Sequence, residues 1–191
     1  MVGYLSGLVL FVGVHSLSIV APTWRQAMIG RIGRNAWRGV YALASLVGLY
    51  LIVTGYADLR NQTMVLYVLP RWIQGITATL MIPVFPLLVA SYFPGWIKTL
   101  ARHPTLVAVK LWAVAHLLAN GTLADVLLFG TLLAWAVAVR ISLKRRAPID
   151  PPMLPAGRFN DLIVIVVGAA LYAFMLNGGH AMLIGMPLVL R

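Results

Sequence analysis

Six apolar runs, most of them close to the thickness of a bilayer's hydrocarbon core, leave this chain few folds to choose from. They cover residues 2–21, 36–57, 72–93, 105–119, 123–143 and 162–190. A helix needs about 20 mostly apolar residues to cross the core. The runs are long, rich in Leu and Ala, and lack period-two alternation, which favours helices over a barrel. Pro83 and Pro86 inside the third run predict a kink, tolerated where neighbouring helices cover the freed carbonyls. Only Asn120, Gly121 and Thr122 separate the fourth run from the fifth, so those two helices should be antiparallel neighbours. The expected fold is all-α and polytopic: a single domain over residues 1–191 with about six transmembrane helices in one bundle. Its first partner is the lipid bilayer.

Charge is sparse and lies between the runs. Charged residues make up 10% of the chain and apolar ones 61%, against about 25% charged in a soluble domain. The net charge of +11 might suggest nucleic acid, but no basic patch interleaved with aromatics is present. Arg25, Arg31, Arg34 and Arg38 follow the first run, Lys98 and Arg102 the third, and Arg140, Lys144, Arg145, Arg146 and Arg158 the fifth. Only Arg60, Arg71 and Arg191 fall on the other side. Positive charge is retained in the cytoplasm, so both termini are expected on the non-cytoplasmic side. Residues 2–21 lack the basic start and small-residue cleavage site of a secretory leader and read as the first permanent helix. Residues 144–160, with Pro148, Pro151, Pro152 and Pro155, read as an extended cytoplasmic linker.

The side chains available for chemistry are few. There is no cysteine, and Asp58, Asp125, Asp150 and Asp161 are the only acids. Zinc hydrolysis, nucleophile triads and phosphate loops are therefore poorly provided for. Ionisable groups within membrane spans are costly and become functional candidates; here they are His15, Lys110, His116 and His180, with His103 at a boundary. Apart from Met, histidine is the one good transition-metal ligand present. His15 suits either ligation or a buried imidazole bonded to a carbonyl or to Ser16. Trp112, His116 and Asn120 share one helix face, which suits a pocket lining or hydrogen bonding between helices equally well. His103, before Pro104, reads first as an interfacial histidine. Lys110, nearly on its face, suits snorkelling, pairing with an aspartate, or holding an anionic group. His180, after Gly178 and Gly179, fits a loop or interface role.

Several stretches together resemble the NnrU family of membrane proteins, named from denitrification gene clusters. They include His15, the segment Trp37-Arg38-Gly39-Val40-Tyr41-Ala42-Leu43, and the closing His180-Ala181-Met182-Leu183-Ile184-Gly185-Met186-Pro187. The most specific is Arg102-His103-Pro104 followed by Lys110-Leu111-Trp112-Ala113-Val114-Ala115-His116-Leu117-Leu118-Ala119-Asn120-Gly121. The family is similar to the plastid zeta-carotene isomerase, which binds haem b through histidines and uses a redox-dependent ligand switch. The resemblance implies haem b as cofactor, with His15 and His116 as ligands to the haem iron. It implies His103 and His180 as pocket or replacement ligands, and Trp112, Lys110, Asn120 and Arg102 around the cofactor.

The function so implied is a bis-histidine haem protein of the bacterial inner membrane with a redox or isomerase-type role in nitrogen-oxide metabolism. Its substrate would be a hydrophobic polyene or a small redox molecule. The alternative is a non-catalytic membrane subunit or assembly factor for denitrification enzymes, with structural histidines and basic loops as partner surfaces. A small transporter fits less well, since intramembrane acids and matching half-repeats are lacking.

Overall fold

The computed structural model describes residues 1–60, 62–145, 154–186 and 188. Most of the proline-rich linker expected over residues 144–160, including Pro148, Pro151 and Pro152, lies outside them, as do Asp150 and Arg191. In chain order the helices are α1 (Val2–Val20), α2 (Pro22–Ile32), α3 (Arg34–Leu59), α4 (Ile73–Met81), α5 (Val84–Ala90), α6 (Trp96–Ala101), α7 (Pro104–Ala119), α8 (Leu123–Leu143), α9 (Asn160–Phe174) and α10 (His180–Ile184). No strand forms among the described residues; Val65 and Thr122 make an isolated antiparallel bridge. Five stretches are long and apolar enough to span a membrane: Val2–Val20, Arg34–Leu59, Ile73–Ala90, Leu123–Leu143 and Asn160–Ile184. Pro104–Ala119 is a shorter apolar helix. At most 17% of any spanning window is buried by protein, which leaves side chains such as Val9, Leu43 and Val166 exposed for contact with lipid. The chain is an all-α polytopic membrane protein.

Sequence accounts for where the spans break. The third interrupts at Ile82 and Pro83, because a proline has no N–H to donate and its ring crowds the preceding turn. The last span unwinds over Met175–Gly179, where Gly178 takes φ 111°, a region open to glycine. It resumes as α10 and stops at Gly185 in the left-handed conformation. The segment between the first two spans, expected as a connection, forms α2, an 11-residue helix carrying Arg25 and Arg31.

The chain divides into two compact units, the first comprising Met1–Tyr67 and Gly121–Arg146, the second Val68–Asn120 and Ala147–Arg191. In the first unit α1 packs along α3 through glycines. A Cβ on Gly7 would lie 2.8 Å from the Ile52 backbone, one on Gly48 2.9 Å from Phe11, and one on Gly55 2.8 Å from Tyr4. Backbones approach this closely only where side chains are absent, and dispersion then replaces the missing hydrophobic drive between helices in lipid. One end of this unit is tied by polar contacts. The fully buried Tyr4 donates to the Ala124 carbonyl (2.6 Å), and Tyr56 donates to Asp125 (2.6 Å). Thr122 and Asp125 cap α8 reciprocally.

In the second unit α5 packs against α7 and α9, and α4 against α7. Val84, Leu87 and Ala108 form a small core joined by Met81, Leu111 and Trp112. Gly168 on α9 faces Pro86 so closely that a Cβ would lie 2.5 Å from its nitrogen. Asp161, at the start of α9, accepts from the Trp96 and Ile97 amides (2.8 and 3.0 Å) and so satisfies the first turn of α6. Its neighbour Asn160 donates to the carbonyls of Pro94 and Pro155, and the Leu154 amide donates to Tyr92 (3.0 Å). The described end of the linker is thus fastened to this unit.

Candidate functional site

His15 lies in the first unit, five residues before the end of α1. Its Nδ1 is 2.7 Å from the Phe11 carbonyl one turn back. A carbonyl only accepts, so Nδ1 carries the ring proton and Nε2 carries the lone pair, the tautomer that suits metal ligation. Three aromatic rings hold the imidazole: Phe11 at 4.2 Å, Tyr41 at 5.3 Å and Trp135 edge-on at 5.9 Å between centroids. The indole N–H of Trp135 is buried and has no hydrogen-bond partner.

A cavity of about 280 Å³ opens against this histidine, lined by His15, Ser18, Arg25, Trp37, Arg38 and Tyr41 together with Val14 and Leu17. It falls just below the roughly 300–1,000 Å³ usual for small-molecule sites. Each wall has a local cause. The α1–α2 junction at Ala21 turns the chain so that Arg25, in the first turns of α2, comes back over the end of α1. Gly33, at φ 84°, starts α3 and brings in Trp37, Arg38 and Tyr41 on consecutive turns. Trp37 is itself buried, held edge-on against Trp24 at 5.9 Å. The outcome is a cleft with an imidazole, aromatic walls and two guanidinium groups.

His116 belongs to the second unit and repeats the tautomer of His15. Its Nδ1 is 2.8 Å from the Trp112 carbonyl, its ring lies 4.9 Å from the Trp112 indole, and its own carbonyl accepts from both nitrogens of Asn120. The expected Trp112–His116–Asn120 face therefore exists as a hydrogen-bonded ladder. Lys110 sits half-buried on the same helix but about 120° around its axis from His116.

The Arg102-His103-Pro104 motif joins α6 to α7 through a strained turn. Arg102 has φ 58° and ψ −46°, and the His103 amide donates to the Ala101 carbonyl at 2.6 Å. This is the positive-φ form of the γ-turn, rare for a residue with a Cβ. His103 then caps α7, its carbonyl accepting from Leu106 and Val107, and Pro104 occupies the first helical position, where no N–H is needed. His180 opens α10, its Nδ1 2.6 Å from the Met186 carbonyl beyond the helix end. Arg102, His103, Lys110, Trp112, His116, Asn120 and His180 thus all belong to the second unit, and His15 to the first. Among the described residues no three His, Asp or Glu come together.

Sequence reasoning passed over Arg25, Arg38, Tyr41 and Trp135, because arginines flanking a span read as orientation signals and lone aromatics as core. It also passed over Asp125, although Thr122-Leu123-Ala124-Asp125 carries a capping-box pattern.

Helical spans with lipid-exposed flanks define a polytopic membrane protein, and its His15 and His116 are set in aromatic surroundings. More particularly, the chain belongs to the NnrU family, whose model matches residues 4–188. No curated protein and no solved structure matches it.

Proposed function

We propose that this protein binds haem b in the bacterial inner membrane as a bis-histidine complex, with His15 and His116 as the residues that would hold the iron. The observation that carries the reading is their common hydrogen-bonding: each gives its Nδ1 proton to the carbonyl four residues back and keeps Nε2 as the basic nitrogen. Such a bond commonly accompanies metal ligation by histidine, because it fixes the tautomer and ring plane and raises the basicity of the other nitrogen. Family membership supports it through the NnrU resemblance. The cleft beside His15, with its imidazole, aromatic walls and two guanidiniums, supplies the fit on this chain's own residues.

Haem, when bound, would supply one-electron chemistry or an iron that activates a double bond. The protein's part is to hold the imidazoles, exclude water and set the iron's potential. A redox or isomerase-type role in nitrogen-oxide metabolism is what the resemblance to the NnrU family and to zeta-carotene isomerase supports. With the basic connections in the cytoplasm, both termini lie on the other side. His103 and His180 serve the pocket or replace a ligand, while Trp112 and Asn120 keep His116 in place.

The test is a pair of spectra, oxidised and dithionite-reduced, on protein purified in mild detergent, with a pyridine haemochrome assay. A Soret band, a sharp reduced α-band and about one haem per chain are expected, and both His15→Ala and His116→Ala should lose the bis-histidine spectrum. Unchanged spectra in both variants would remove the assignment. No haem after expression with added haem precursor would leave the non-catalytic subunit or assembly-factor reading in its place.

A further inference from the structure

We infer that Arg25 and Arg38 bind the carboxylate groups of the haem whose iron His15 takes, a reading that rests on the proposed function. The cleft beside His15 contains both arginines and no acidic side chain. Neither guanidinium therefore meets a counter-charge within it, and a cluster of cations in a partly covered site favours an anionic ligand. Arginine suits carboxylates in particular, because its planar fork makes two parallel N–H···O bonds.

The order of groups along the cleft matches the ligand. The His15 ring lies against Tyr41 on α3, and Arg38 is one turn earlier on that helix, about 4.5 Å along the axis toward its basic end. Arg25 comes from α2, outside the span. The cleft thus runs from an imidazole within the membrane, past the Trp37 and Tyr41 walls, to two guanidiniums where the chain leaves the apolar layer. Haem has the same polarity, with iron at the centre of an apolar macrocycle and both carboxylates on one edge. Arg102 and Lys110 are less suited. Lys110 stands on a different face of α7 from His116, and Arg102 is an exposed residue of the second unit, whereas the cleft beside His15 belongs to the first.

The experiment titrates haem b and its dimethyl ester, in which both carboxylates are capped, into haem-depleted protein in detergent, following the Soret band. Wild type should bind haem b about tenfold or more tightly than the ester, the scale of one charge-assisted hydrogen bond. Arg25→Gln/Arg38→Gln should lose that preference while its reduced α-band stays at the wild-type position, because the proposed histidine ligands are untouched. Arg25→Lys/Arg38→Lys should recover part of the preference, and Arg102→Gln/Lys110→Gln should keep all of it. Equal binding of the two porphyrins by wild type overturns the inference alone, as does a preference that survives in Arg25→Gln/Arg38→Gln or vanishes in Arg102→Gln/Lys110→Gln. A wild type that takes up neither porphyrin removes the haem reading and this inference with it. Should the glutamine pair fail to fold, judged by size-exclusion profile and helical circular dichroism, the single variants Arg25→Gln and Arg38→Gln decide, each expected to lose part of the preference.

Discussion

Arg102 occupies a backbone conformation that costs an ordinary side chain about 1–3 kcal/mol. Glycine takes φ near 60° at almost no steric cost, so Arg102→Gly should stabilise the folded protein by about 1 kcal/mol. Thermal unfolding in detergent reads the change as a raised Tm; a lowered Tm would show that the arginine side chain outweighs the strain. Asp125 is the opposite case, a residue whose surroundings are satisfied only while it stays. It is 4% exposed and accepts from the Tyr56 hydroxyl and from both the amide and the hydroxyl of Thr122. Asp125→Ala strands these donors and should destabilise by about 3 kcal/mol, whereas Tyr56→Phe removes one donor and should cost about 1.5 kcal/mol. Both are measurable as shifts in the same melting curve. The histidines were legible in the sequence because ionisable groups stand out in an apolar run. The arginines beside His15 were not, since a cation flanking a span looks the same whether it orients the chain or lines a cleft.

At the scale of the helix, composition predicted existence well and interruption unevenly. Pro83 announces its break because the missing N–H and the ring's bulk act locally. Gly178 does not, since glycine is common inside membrane helices and only the folded backbone shows that it has taken a positive φ. The short α2 was hidden for a related reason, its polar residues reading as a connection. Helix contacts carry their own prediction. Gly48→Leu would drive a side chain into Phe11 and should cost about 3 kcal/mol by forcing α1 from α3. Gly13→Leu on the same α1 meets nothing within 4 Å and should change stability by less than about 0.5 kcal/mol. Equal melting temperatures for the two variants would show that the glycine contact does not hold this helix pair.

For the molecule as a whole, the distribution of arginine and lysine makes the orientation testable. A periplasmic reporter such as alkaline phosphatase should be active when fused after Arg71 and inactive when fused after Lys144; the reverse pattern would invert the topology. The polytopic fold was legible because each span advertises itself in its own residues. Asp161 was not, because the amides it serves lie 65 and 64 residues away in sequence. That separation has a consequence in time. A ribosome adding about 5–20 residues per second needs several seconds to pass from Trp96 to Asp161. Through that interval the first turn of α6 must hold its amides against water or lipid headgroups without the carboxylate that will cap them. The first unit has all its helices once Leu143 is made, but the second stays unlatched until the last span emerges. The capping of this turn therefore waits on the arrival of a single aspartate.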